Sequence, residues 1–315
     1  MKDDGVITLD FLVGFTIFTI AFIFVATMIP HTLFSVHSSR IDCDAVAYRT
    51  GVILTEDPGM PASPAVPVWE QQSDPANIIR MGLSVDRSRP HILSITKVER
   101  FFDDEFFRYP DDYQRALIFG EYPYLFTITL AMLDDDTIWS VGSSPPDSFG
   151  IIRRVVMVKG ESVLVIDEDM ITGSVQGNCT PDLLIVNIPC EVLLDRSVDP
   201  AFRIDPRTDR LRIEIQQYSG FLNVTGPARI KDIRQSGIVI PYTSYDLNIT
   251  KESLTFTLIP VQYPPWDRAD TISVTFAFTD PDDPPTDPVV AAVVYDYTNA
   301  TIPPLKRGIL EVAVW

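Results

Sequence analysis

The chain has 315 residues, 46% of them hydrophobic, with 25 Lys and Arg against 43 Asp and Glu for a formal net charge of −18. Cations are not clustered as phosphate binding requires, which excludes a nucleic-acid partner, and the apolar content excludes a disordered chain. Past the first apolar run about 275 residues remain, enough for one large domain or two ordinary ones.

The first element is Phe11–Pro30, FLVGFTIFTIAFIFVATMIP, twenty residues without a formal charge. As a helix it reaches about 30 Å, the thickness of a bilayer's hydrocarbon core, and its phenylalanines spread around the axis. This predicts a transmembrane helix with membrane lipid as a partner. The run ends in MIPHTLF, without the small-residue cleavage site of a secretory signal, so the segment stays with the mature protein. Asp10 stands one residue before it. An acid there costs about 2.5–3.5 kcal/mol if carried toward a bilayer's centre. Asp10 therefore either marks the interface or pairs with a positive group once subunits associate.

Gly5 followed by VITLDFLVGFTIFTIAFIF resembles the class III signal of archaeal type IV pilins and pilin-like proteins. The resemblance implies that a prepilin peptidase cuts between Gly5 and Val6, removing residues 1–5 as a leader. Asp10 would then be the fifth residue of the mature chain, where type IV pilins commonly carry Glu, satisfied by a neighbouring subunit's new amino group. Two features depart from the family pattern: Asp3 and Asp4 precede Gly5 where basic residues are usual, and the acid is Asp.

Beyond Pro30, which should kink or break the helix, Ile41, Ala45, Tyr48 and Val52 fall on one helical face as far as Asp57-Pro58-Gly59. Met60–Pro75 reads as a loop, Ser88-Arg89-Pro90 as a helix start, and Asp111–Phe119 as a further helix. Tyr124–Leu133, Ile151–Val158 and Ser162–Ile166 alternate as strands. After Gly177 the runs Leu183–Ile188, Leu211–Ile215, Leu254–Ile259, Ile272–Phe278, Val289–Tyr295 and Ile309–Trp315 are short, β-branched and separated by Pro- and Asp-rich turns. The expected fold is α+β: a long transmembrane or pilin-type helix over 6–36, an α+β head region over 37–170 and a β-sandwich over 171–315.

Four of the six asparagines stand in glycosylation sequons, Asn178, Asn223, Asn248 and Asn299, which predicts an external head carrying N-glycans. In that compartment Cys179 and Cys190, eleven residues apart, are candidates for a disulfide, with the state of Cys43 open. No G-x-S-x-G, H-E-x-x-H, C-x-x-C or Gly-rich phosphate loop occurs, so no catalytic residue is assigned and an enzyme is not expected. The acid clusters at Asp103, Asp134, Asp167 and Asp280 lack the EF-hand spacing and read as solvated turns, so no metal or cofactor is expected.

These readings converge on a structural role: a pilin-like subunit or minor pilin of an archaeal surface filament. Other pilin-like subunits and, if the leader is processed, a prepilin peptidase would be its partners. Its place would be the cell membrane with an extracellular head, or an extracellular filament. The alternative is an uncut membrane-anchored extracellular adhesin or envelope protein that forms no filament.

Overall fold

The computed structural model describes residues 4–63, 68–117, 124–175, 179–241, 245–250, 252–259 and 267–315; within the first helix it describes the side chains of residues 11–27 and those from 43 onward. Helix α1 spans Asp4–Glu56 and is followed by β1 (Met60–Pro61), β2 (Ile78–Arg80), β3 (Ile92–Ser94), α2 (Ile95–Phe101) and α3 (Asp111–Ala116). Strands β4 (Phe126–Met132), β5 (Ile138–Gly142), β6 (Gly150–Lys159) and β7 (Ser162–Ile166) lead to α4 (Glu168–Ser174), β8 (Leu183–Pro189) and α5 (Cys190–Leu193). Then come β9 (Leu211–Gln216), β10 (Arg229–Gln235), β11 (Ile238–Val239), β12 (Tyr245–Ile249) and β13 (Ser253–Leu258). The described chain closes with β14 (Thr271–Ala277), β15 (Val290–Val294) and β16 (Leu305–Val314).

This is a β-rich fold of four sheets with few helices, which corrects the expected α+β class. The membrane assignment is corrected too: among the described residues no helix is long and apolar enough to cross a membrane. Pro30 does not end the helix, which runs on to Glu56. The helix stops at Asp57-Pro58-Gly59 for a local reason. Gly59 adopts φ 77°, and its N–H donates to Asp57 Oδ1 at 2.8 Å. A Cβ at Gly59 would also lie 2.2 Å from the Trp69 ring, so only glycine fits.

The first core lies under a five-stranded sheet in the order β3-β6-β16-β4-β5. Phe126, Ile128, Leu130 and Met132 alternate inward from β4, with Leu310, Val312 and Val314 beside them on β16. The C-terminal half of α1 packs across β6 and β16, burying Val46, Ala47 and Leu54. Gly150 makes that approach feasible: a Cβ there would sit 2.4 Å from the Cys43 carbonyl carbon.

The second core is an insertion. The chain leaves the first sheet at Lys159 and returns at Leu305, and these two residues are register partners where β6 pairs with β16. Between them, sheet β11-β10-β14-β8-β15 faces sheet β12-β13-β9-β7 across one core, with Phe256 of β13 against Phe276 of β14 at 5.5 Å. Two sequence expectations shift as a result. β7 joins this second core by pairing in parallel with β9. The C-terminal strand β16, expected among the later strands, lies near the centre of the first sheet between β6 and β4.

The expected disulfide is also corrected: Cys179 and Cys190 are not bonded to each other. Their surroundings explain why. Cys179 is exposed, whereas Cys190 opens α5 inside the second core, where burial pushes its thiol up to about 12.

Candidate functional site

The surface that stands out is the apolar stretch of α1. Phe11, Phe15, Phe18 and Phe22 are 73%, 60%, 66% and 62% exposed, and Phe11–Phe15 and Phe18–Phe22 stack one turn apart at 6.2 Å. The polar side chains among them turn their hydroxyls inward. Thr16 donates to Leu12 O and Thr19 to Phe15 O, both at 2.7 Å, and Thr27 donates to Ile23 O at 2.8 Å. Gly14 leaves an open notch, since nothing lies within 4 Å of where its Cβ would be. A contiguous apolar surface of this kind, with its hydroxyls already satisfied, is built to be covered.

The residues singled out from the sequence fall as follows. Gly5, Val6 and Asp10 lie in the first turns of α1, with side chains outside the described residues. Asn178 is outside them as well. Asn223 is exposed, and its Nδ2 donates to Asp182 Oδ1 at 2.7 Å. Asn299 is committed at both ends: its amide donates to Val294 O and its Oδ1 accepts from Asp296 N. Asn248 is exposed on the edge strand β12.

The acids of these clusters have protein partners, some local and some on β16. Asp103 pairs with Arg100 at 2.9 Å, Asp134 with Arg307 at 2.7 Å and Asp135 with Lys306 at 3.0 Å. Hydrogen bonding from Thr137 and the nearby Lys306 hold the Asp135 carboxyl down at about 2. Asp167 caps α4 by accepting from Met170 N at 3.0 Å. Among the described residues no group of three or more His, Cys, Asp or Glu is placed to hold a metal ion.

Sequence reasoning missed a buried polar junction between the two cores. Lys159, at the end of β6, pairs with Asp209 at 2.7 Å, and both side chains are more than nine-tenths buried. Its Nζ also donates to Arg203 O at 2.6 Å. Lys97 on α2 is buried and donates to Pro58 O at 2.8 Å and Ser84 O at 3.2 Å. Burial pushes the Lys97 ammonium below its ordinary range. Around them Arg210 reaches Glu99 at 2.7 Å and Glu161 at 3.3 Å, Arg89 pairs with Asp199, and Thr96 Oγ1 donates to Thr208 O at 3.0 Å. Beside the junction opens a cleft of about 280 Å³, lined by Glu70, Gln71, Thr96, Glu99, Arg100 and Arg210 among others. The only hint in the sequence is a lysine closing an apolar run, VVMVK, where a strand of this type would end in an apolar residue.

An uncharacterised protein of Archaeoglobus fulgidus is similar to this chain, 27% identical over 209 residues that cover 63% of the chain and 95% of that protein. No family model matches the chain, and no solved structure matches it.

Proposed function

We propose that this chain is a structural subunit of a surface assembly, a pilin-like protein that associates with copies of itself through the apolar half of α1 and presents its β-rich acidic head outward. The observation that carries the reading is the set of exposed phenylalanines on Phe11–Thr27, too apolar to be left in water and attached to a head that does not fold over them. The occupant that fits is the same stretch of another copy. Side-by-side helices would interdigitate their rings, with Gly14 allowing close backbone approach. Asp10 would meet the amino group exposed by cutting between Gly5 and Val6. The sequons favour an external head, with Asn248 exposed on an edge strand as one acceptor, and the similarity to an archaeal protein favours an archaeal source.

The test is assembly of the full chain. Intact mass should show residues 1–5 removed, and electron microscopy with sedimentation should show higher-order assemblies. Phe18→Lys and Asp10→Ala should abolish those assemblies while leaving the head's unfolding midpoint unchanged. A chain that stays monomeric at all concentrations, or a Phe18→Lys variant that assembles normally, would overturn the reading.

A further inference from the structure

Among the described residues of the junction, no cation is hydrogen-bonded to Glu70. Both carboxylate oxygens are shut off from solvent, and among the described residues neither accepts a hydrogen bond from another residue. The charged groups facing it are Lys97 from α2 and Asp205 and Asp209 from the loop before β9. Every cation nearby is committed elsewhere: Lys97 to two carbonyls, Lys159 to Asp209, Arg207 to Asp205 at 2.8 Å, Arg210 to Glu99 and Glu161, and Arg100 to Asp103. Gln71, the next residue, reaches across to donate to Arg207 O in the second core. Glu70 therefore sits at the seam itself, on a segment that touches both cores.

We propose that the seam between the two cores is a proton-sensitive latch, in which the unpaired Glu70 carboxyl favours the closed seam in acid and loosens it as the surroundings turn alkaline. The physical basis is the unequal cost of burying the two forms. A neutral carboxyl can be enclosed at moderate cost, whereas a carboxylate facing Asp205 and Asp209 without a bonded cation cannot. Burial raises the Glu70 carboxyl from 4.5 to about 7, the attraction of Lys97 offsetting only part of the rise. Burial also works to raise Asp205, but its bond to Arg207 outweighs this and holds it low, so Asp205 stays ionised through the same range.

The sign follows from proton counting. Between pH 4.5 and 7 the closed seam holds a proton that a solvated Glu70 would release, so raising the pH favours opening. Below 4.5 both forms are protonated and above about 7 both are ionised, so the effect is confined to that window. Its ceiling is about 300-fold in the opening equilibrium, the ratio set by 4.5 against about 7.

Hydrogen exchange on the full chain at pH 4.5, 6 and 8, corrected for intrinsic rates, tests this at the backbone amides of Gln71, Gln72, Thr208 and Asp209. Wild type should lose protection there by up to about two orders of magnitude from pH 4.5 to 8. Glu70→Gln should flatten the profile, and Glu70→Leu, which fills similar space without a titrating group, should flatten it too. Lys97→Met should shift the transition to higher pH by removing the attraction that lowers Glu70. A pH-independent wild-type seam overturns the proposal, as does a Glu70→Gln or Glu70→Leu profile that tracks wild type.

Discussion

The two halves of α1 belong to one continuous helix yet meet opposite fates. Phe11–Thr27 stands exposed with its rings stacked on one another, while Val46, Ala47 and Leu54 are sealed against β6 and β16. Hydrophobicity does not explain the difference, because the exposed half is the more apolar. What separates them is the sheet: Gly150 lets the backbone of α1 come within van der Waals range of β6, and Glu56 in its last turn pairs with Arg154 at 3.0 Å. The lesson is that an apolar helix is buried only where a shaped partner exists, and the head supplies one for the second half alone.

That contrast can be strained from both sides. The largest effect belongs to the junction behind the packed half. Lys159→Ala leaves Asp209 buried without its ammonium, and chemical denaturation should read a loss of about 3–5 kcal/mol. Next comes Leu54→Ala, which opens a cavity where the helix meets the sheet and should cost about 2–5 kcal/mol, whereas Leu12→Ala in the exposed half should stay within about 0.5 kcal/mol. Equal losses at the two leucines would erase the distinction. Third, head stability should fall by up to about 3 kcal/mol as pH rises from 4.5 through 7, read from unfolding midpoints, with Glu70→Gln flattening the fall. The sign is fixed by the carboxyl being raised on folding: the folded state holds the extra proton, so acid favours it. Smallest of all, Asn248→Gln on the exposed edge strand should lower the intact mass by one glycan and move the midpoint by less than about 0.5 kcal/mol.

Much of the fold was legible wherever a residue's fate depends on near neighbours. The stop at Asp57-Pro58-Gly59 needs only a left-handed glycine and an aspartate two residues before it. The alternation in Phe126–Met132 marks a strand with one buried face whatever it pairs with, whereas β14, read the same way, is buried on both faces from Thr275 onward. Strands β5, β10 and β12 escaped the reading because they are short or interrupted by charges and their apolar residues are mostly not buried: Ile138 is exposed, and Ile230 and Leu247 are half-buried. Of the candidate site, the apolar stretch was plain from composition. The polar junction was not, since a lysine in sequence reads as a solvated charge.

By itself, then, the sequence determined the alternation of the inward-facing strand residues, the helix stop at Asp57-Pro58-Gly59 and an uncharged apolar run near one end of the chain. Tertiary structure alone decided that β16 returns to pair with β6 and β4, that the second core is an insertion closed at Lys159 and Leu305, that Cys179 and Cys190 stay apart, and that Lys97, Lys159 and Glu70 are sealed together at a seam. The reason is range. Helical turns and strand alternation are set by bonds and sterics within a few residues. Strand partners and the charge left without one are set between residues more than a hundred positions apart, where periodicity carries no address.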